Sequence, residues 1–152
     1  MRLFLVSLLS AAAVFAAETV EFNRDIRPIL SDNCFLCHGP DKGTRKEDLR
    51  LDLEDGITAN LGDGRQAVVP GNAGSSELYK RINSPDPDVV MPPPDSHKSL
   101  SPDQVEVFRQ WIEQGAQWED HWSFEAIERP VLPEPANSRW ANNPIDLFIL
   151  DR

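Results

Sequence analysis

"NCFLCHG", Asn33 to Gly39, holds both cysteines of the 152-residue chain. Cys34 and Cys37 stand in C-x-x-C spacing, and His38 follows directly. Three chemistries use such a spacing: a redox dithiol, part of a zinc site, or a covalent haem anchor. Each demands different surroundings, so the flanking residues decide the fold and the chemistry together.

Upstream, Glu21 to Asn33 reads "EFNRDIRPILSDN". Phe22, Ile26 and Leu30 fall at i, i+4 and i+8 with Ile29 beside them, one face of a helix. Asn23 is the expected N-cap. Pro28 lacks an N–H, so the helix either bends there or starts later with Pro28 near its first position. A redox dithiol belongs at a helix N-terminus after a β-strand, where the dipole stabilises a thiolate. Here a helix precedes the motif instead. Zinc needs about four ligands, which Cys34, Cys37 and His38 could complete only with His97 or His121. Side chains of the adjacent Cys37 and His38 diverge, and no second paired half exists.

The haem reading uses the whole motif. Two thiols two residues apart reach one edge of a porphyrin, and the next imidazole lies under the iron. The sixth position then needs a ligand. Apart from Met1, Met91 is the only methionine, in the stiff "VVMPPP" loop, 53 residues beyond His38. A thioether opposite histidine gives an electron-transfer iron of raised potential. Methionines also fill cores, but rarely just before three prolines. His97 and His121 are the rival sixth ligands, with surface positions as their alternative.

Between Gly39 and Gly74 the chain is polar and turn-rich. "LRLDLEDGI" alternates briefly and reads as a short strand or an extended arm. "SSELYKRI" reads as a short helix capped by Ser75 or Ser76 and ending near Asn83. The clearest helix is Pro102 to Gln114. Ser101 caps it, Pro102 takes N1, Gln104 closes a capping box, and Gly115 stops it. Val105, Phe108, Trp111 and Ile112 form its apolar stripe, expected to pack across the first helix. Arg50, Arg65 and Trp111 are candidates to meet haem propionates, and Tyr79 and Trp118 to line a pocket. Each has an ordinary reading as surface charge or core aromatic.

The N-terminus, "MRLFLVSLLSAAAVFAAETV", has a basic residue, a short apolar run and small residues. Residues 1–17 therefore read as a signal peptide cleaved near Ala16/Ala17, preferably after Val14-Phe15-Ala16. The apolar run is short for a membrane span. The product is expected to be exported and periplasmic or extracytoplasmic, with no membrane span after cleavage. The formal charge of −10 disfavours nucleic acid and favours a redox partner with a basic docking surface. Residues 18–119 form the expected haem domain. Residues 120–152 are a Pro-rich linker or tail whose "NPIDLFILDR" begins another helix, leading to a further domain.

Assembled, these residues resemble the mono-haem c-type cytochromes, and more closely the planctomycete-type cytochrome c domain, over roughly Val20 to Trp118. The resemblance rests on "FNRDIRPILSDNCFLCHGPD", "LRLD", "VVPGNAGSSELYKRI", "MPPP" and "LSPDQVEVFRQWIEQGAQW". It implies an all-α, cytochrome c-like fold with long irregular loops around one covalent haem c. By position it implies Cys34 and Cys37 as thioether attachments, His38 as proximal ligand and Met91 as distal ligand. The expected role is electron transfer by Fe(II)/Fe(III) cycling, without catalysis by these residues. The alternative is a haem-binding sensor, or a domain feeding electrons within a larger multidomain protein. Without haem the chain is expected to be poorly ordered, because the pocket-lining apolar residues would have no partner and much of residues 39–74 has no core of its own.

Overall fold

A computed structural model of the chain describes residues 18–124, 126–135 and 139–151. The expected signal peptide, 1–17, lies outside them. The chain divides into two compact units, with the boundary between Asp120 and His121. The first is mostly helical. A π-helical turn, Phe22–Ile26, runs into α1, Arg27–Asn33. One turn follows, α2, Phe35–His38. Next come α3, Glu54–Ile57, and a hairpin of β1, Asn60–Gly62, and β2, Arg65–Gln66. Then α4, Glu77–Ile82, and α5, Pro102–Glu113, close the unit.

The π turn resolves the conflict at Pro28. An α-helical path would press its ring on the carbonyl four residues back. Instead Arg27 N–H donates to Phe22 O, five residues back, and Pro28 lies in the first turn of α1. Phe22, Ile26 and Leu30 remain on one buried face. Asn23 does not cap. Its side chain accepts from Arg27 Nε at 2.6 Å and donates to Asp120 O at 2.7 Å.

α5 forms as its sequence dictates. Gln104 N–H donates to Ser101 Oγ, and Ser101 N–H to Gln104 Oε1, a complete capping box. At the other end Gly115 takes φ +105°, Gly115 N–H bonds Ile112 O and Ala116 N–H bonds Trp111 O. That double bond pattern is a Schellman stop. Phe108, Trp111 and Ile112 are buried and face the first helix. The Phe22 ring lies 5.5 Å from Trp111 and 4.3 Å from Trp118, and the Arg27 guanidinium covers both Phe22 and Trp118. Aromatic contacts of this kind add about 0.5–1.5 kcal/mol each beyond the area buried.

The middle of the chain departs from the sequence reading in four respects. Residues 39–74 contribute Leu51, Ile57, Ala67, Val68 and Ala73 to the core, so the stretch is irregular but not coreless. "LRLDLEDGI" is neither strand nor arm. It turns after Arg50 and becomes α3, burying Leu51 and Ile57 and leaving Leu53 exposed. The only sheet among the described residues is the antiparallel β1–β2 hairpin, a minor addition to a helical fold. Its Asp63-Gly64 turn has positive φ at both positions, as two-residue hairpins demand. Ser76 occupies the N-cap position of α4 without capping. It is fully buried, where its Oγ accepts from Val69 N–H and donates to Asn72 O, each at 2.8 Å.

In the second unit, a 3-10 turn spans Trp122–Phe124 and α6 spans Pro144–Leu150. Asn143 caps α6 in a second capping box, and Pro144 sits at its start. No described helix is long and apolar enough to cross a membrane.

Candidate functional site

α1 ends with Cys34 N–H bonded to Leu30 O at 2.7 Å. Cys34 then breaks the helical path at φ −120°, and α2 restarts from it. Cys37 and His38 both donate their N–H groups to Cys34 O, at 3.1 and 2.8 Å. The single turn so formed sets residues 34, 37 and 38 on one side. Phe35 packs on the core, whereas Leu36 is 62% exposed.

This side opens on a small cleft lined by Asn33, Cys34, Leu36, Cys37 and His38. Facing segments complete it with Met91, Pro92, Pro93, Ser96 and Lys98. Met91 is half-buried, and its N–H donates to Arg81 O at 3.1 Å, which ties the proline loop to α4. Lys98 at the rim donates its ammonium to Asp32 O, at the end of α1.

Motif residues and methionine thus meet in one cleft. The other candidates do not. His97 is exposed and outside the lining, in a left-handed conformation. His121 belongs to the second unit, where its Nδ1 is 2.8 Å from Ser123 Oγ. Among the described residues no group of three or more His, Cys, Asp or Glu is gathered for a metal ion. Arg50 is committed to Asp52 at 2.5–2.6 Å, and Arg65 lies near Asp63 and Glu77. Trp111 is buried and donates Nε1–H to Gln117 O at 2.9 Å. Tyr79 and Trp118 pack against the core. None of these five lines the cleft.

The electrostatics separate the chemistries. Cys34 and Cys37 are unbridged. Burial pushes the Cys34 thiol up to about 12, with Lys98 opposing weakly. A redox dithiol needs the opposite shift, towards thiolate. Burial also holds the His38 imidazole below its ordinary value, favouring the neutral ring that binds metal. The Lys46 main chain acts in the other direction, although no partner meets hydrogen-bond geometry at Nδ1. Among the described residues, His38 Nδ1 is the only buried side-chain polar atom without a partner. Two unbridged thiols and a neutral imidazole beside a mostly apolar cleft are the donor set that haem c requires.

Several cleft residues carry no sequence signal. Asn33, Leu36, Ser96 and Lys98 line it through the course of the chain rather than through a motif. Pro92 and Pro93 were legible only as stiffeners of the Met91 loop.

Comparison with known proteins agrees with the geometry. Residues 34–95 match the family model described as planctomycete cytochrome C. No curated protein and no solved structure matches the chain. The matched segment begins at the first motif cysteine and ends beyond Met91, taking in the cleft lining except Asn33, Ser96 and Lys98. Over residues 34–95 the chain is thus similar to planctomycete cytochrome C, and the cofactor this similarity implies is covalently bound haem c.

Proposed function

We propose that residues 18–119 are an exported mono-haem electron-transfer domain in which His38 and Met91 would ligate the iron. The observation that carries this is one cleft lined by Cys34, Cys37, His38 and Met91 together. Bound haem supplies a reversible one-electron Fe(II)/Fe(III) couple. The chain's residues do the rest. Cys34 and Cys37 hold the group by thioethers, and the neutral His38 imidazole offers a lone pair. The Met91 thioether, a soft donor, favours the reduced state. Leu36, Pro92 and Pro93 limit water at the cleft, which lowers the local dielectric.

The domain acts as a carrier rather than a catalyst. Exposed Asp32, Asp88 and Asp95 lie within three residues of cleft-lining positions, which favours a basic redox partner. Electron exchange with such a partner should slow as salt rises.

Expression in a host with haem-attachment machinery tests the reading. A red product with a pyridine haemochrome spectrum of thioether-linked haem is expected, and a colourless, zinc-containing product refutes it. Met91→Ala should lower the potential and remove the methionine-to-iron charge-transfer band. An unchanged spectrum and potential would refute methionine ligation, and a haem-linked sensor would become the better account.

A further inference from the structure

The single turn α2 ends on carbonyls that no helix continues to satisfy. Four in succession, those of Cys37, His38, Gly39 and Pro40, are nevertheless all bonded, and every donor comes from residues 45–51. Lys46 N–H donates to Cys37 O and Leu51 N–H to His38 O, each at 2.8 Å. The other two bonds come from one side chain. Arg45 Nε donates to Gly39 O at 3.0 Å and Arg45 Nη2 to Pro40 O at 2.8 Å.

Arg45 stands in the polar run "GPDKGTRKED", where a solvated side chain is the ordinary expectation. Its side chain is only 10% exposed. Its nearest ion-pair contact among the described residues is Asp48, fully exposed and 4.0 Å from Nη1, a weak one, and its charge also acts on Asp52. The guanidinium is thus withdrawn from water mainly to grip two main-chain carbonyls. Its planar fork can hold both at once, whereas a lysine ammonium on a flexible stem cannot hold them in a fixed plane. Arg45 is also continuous with Lys46, whose main chain lies beside His38 Nδ1.

We propose that Arg45 is a positioning residue for His38, its guanidinium clamping the Gly39-Pro40 turn that fixes the imidazole plane. This rests on His38 being the iron ligand. Arg45 itself is not part of the cleft lining. Its effect passes through the turn behind the ring, as other second-layer partners orient metal-bound histidines.

The test uses the haem-loaded chain. Arg45→Met, Arg45→Lys and the control Arg109→Met are prepared, Arg109 being a surface arginine paired with Glu106 and Glu113 on α5. Proton NMR of the oxidised forms reads the spread of the haem methyl shifts, which follows the orientation of the axial imidazole plane. Both Arg45 variants should redistribute those shifts beyond the control. Arg45→Lys should do so less, because it keeps charge but loses the fork. Shifts that coincide with the parent overturn the proposal, whether or not thermal stability falls. If neither variant loads haem, the reduced parent decides. A slowly exchanging Arg45 Nε–H with a cross-peak to Gly39 supports the clamp, and exchange at the solvent rate overturns it. A parent that carries no covalent haem overturns the proposed function, and the role of Arg45 with it. A haem-loaded parent with unmoved variants overturns the clamp alone.

Discussion

Gly39 follows His38, and its substitution by alanine should be costly for a reason that can be followed atom by atom. Its φ of −126° and ψ of −159° suit any residue, so alanine pays nothing in backbone conformation. The obstacle is space. A Cβ there would stand 2.2 Å from Phe35 O and 2.9 Å from Phe35 C and Cβ. Unstrained contacts need roughly 3.5 Å, so residues 35 and 39 must part by about 1 Å. Two of these atoms are main chain and the third is a Cβ, so no rotamer change relieves them. Parting them strains the α2 turn, in which His38 N–H bonds Cys34 O. Overpacking of this kind costs about 1–3 kcal/mol, and the rigid opponent puts Gly39→Ala in the upper half of that range. With a urea slope of about 2 kcal/mol/M, the unfolding midpoint should fall by about 1 M. Gly74→Ala is the control, since the nearest atom to its Cβ is Asn72 Oδ1 at 3.6 Å, ordinary contact. It should stay within about 0.5 kcal/mol of the parent. Urea titrations of the three haem-loaded proteins, followed by far-UV circular dichroism, give the comparison. Equal midpoints for Gly39→Ala and the parent would refute the close approach at Phe35.

Trp111→Phe keeps a ring in the core but loses the bond to Gln117 O and some volume, so thermal or urea denaturation should show a loss of about 1–3 kcal/mol. A hydrogen bond from Arg50 holds the Asp52 carboxyl below its ordinary range. Its contribution is therefore complete above the unfolded-state value and is lost as pH falls through the lower folded value. Asp52→Asn should accordingly flatten the acid limb of the stability–pH curve, with little difference in slope near neutrality. Cys34→Ala/Cys37→Ala, which cannot form thioethers, should keep a cooperative but weakened thermal transition, because the core of α1, α5 and residues 51–73 is built from protein side chains. A featureless melt would instead bear out the expectation of a disordered haem-free chain.

Sequence reading reaches the locally determined parts of this fold and runs out at the rest. α5 was legible to within a residue because its determinants are local: Ser101, Pro102, Gln104 and Gly115 act within a turn of where they stand. The C-x-x-C-H motif and Met91 were legible because their chemistry limits what they can do. Leu51, Ile57, Val68 and Ala73 were not, since short apolar stretches between turn residues sustain no helical or strand period, and only the folded chain gathers them. Ser76 looked like a cap because caps are read from residue type, but burial gave its hydroxyl a different task. Arg45 had no signal at all. Its role comes from two carbonyls brought within reach by the turn after His38.

The first unit also joins its own ends. Val20 N–H bonds Gln114 Oε1, Asn23 N–H bonds Glu119 Oε2 and Arg27 Nη2 bonds Glu119 O, across separations of 92 to 96 residues. Entry and exit of the chain therefore lie side by side. Closing so long a loop costs only a little more entropy than closing one half its length, about 0.6 kcal/mol. The cost falls on timing, because α1 cannot complete its packing until residues 111–119 have been synthesised. This keeps the cysteines on an unfinished chain until nearly the whole unit has been made. In evolution the same closure makes the unit a cassette, one that can be spliced into a longer polypeptide without forcing its neighbours apart.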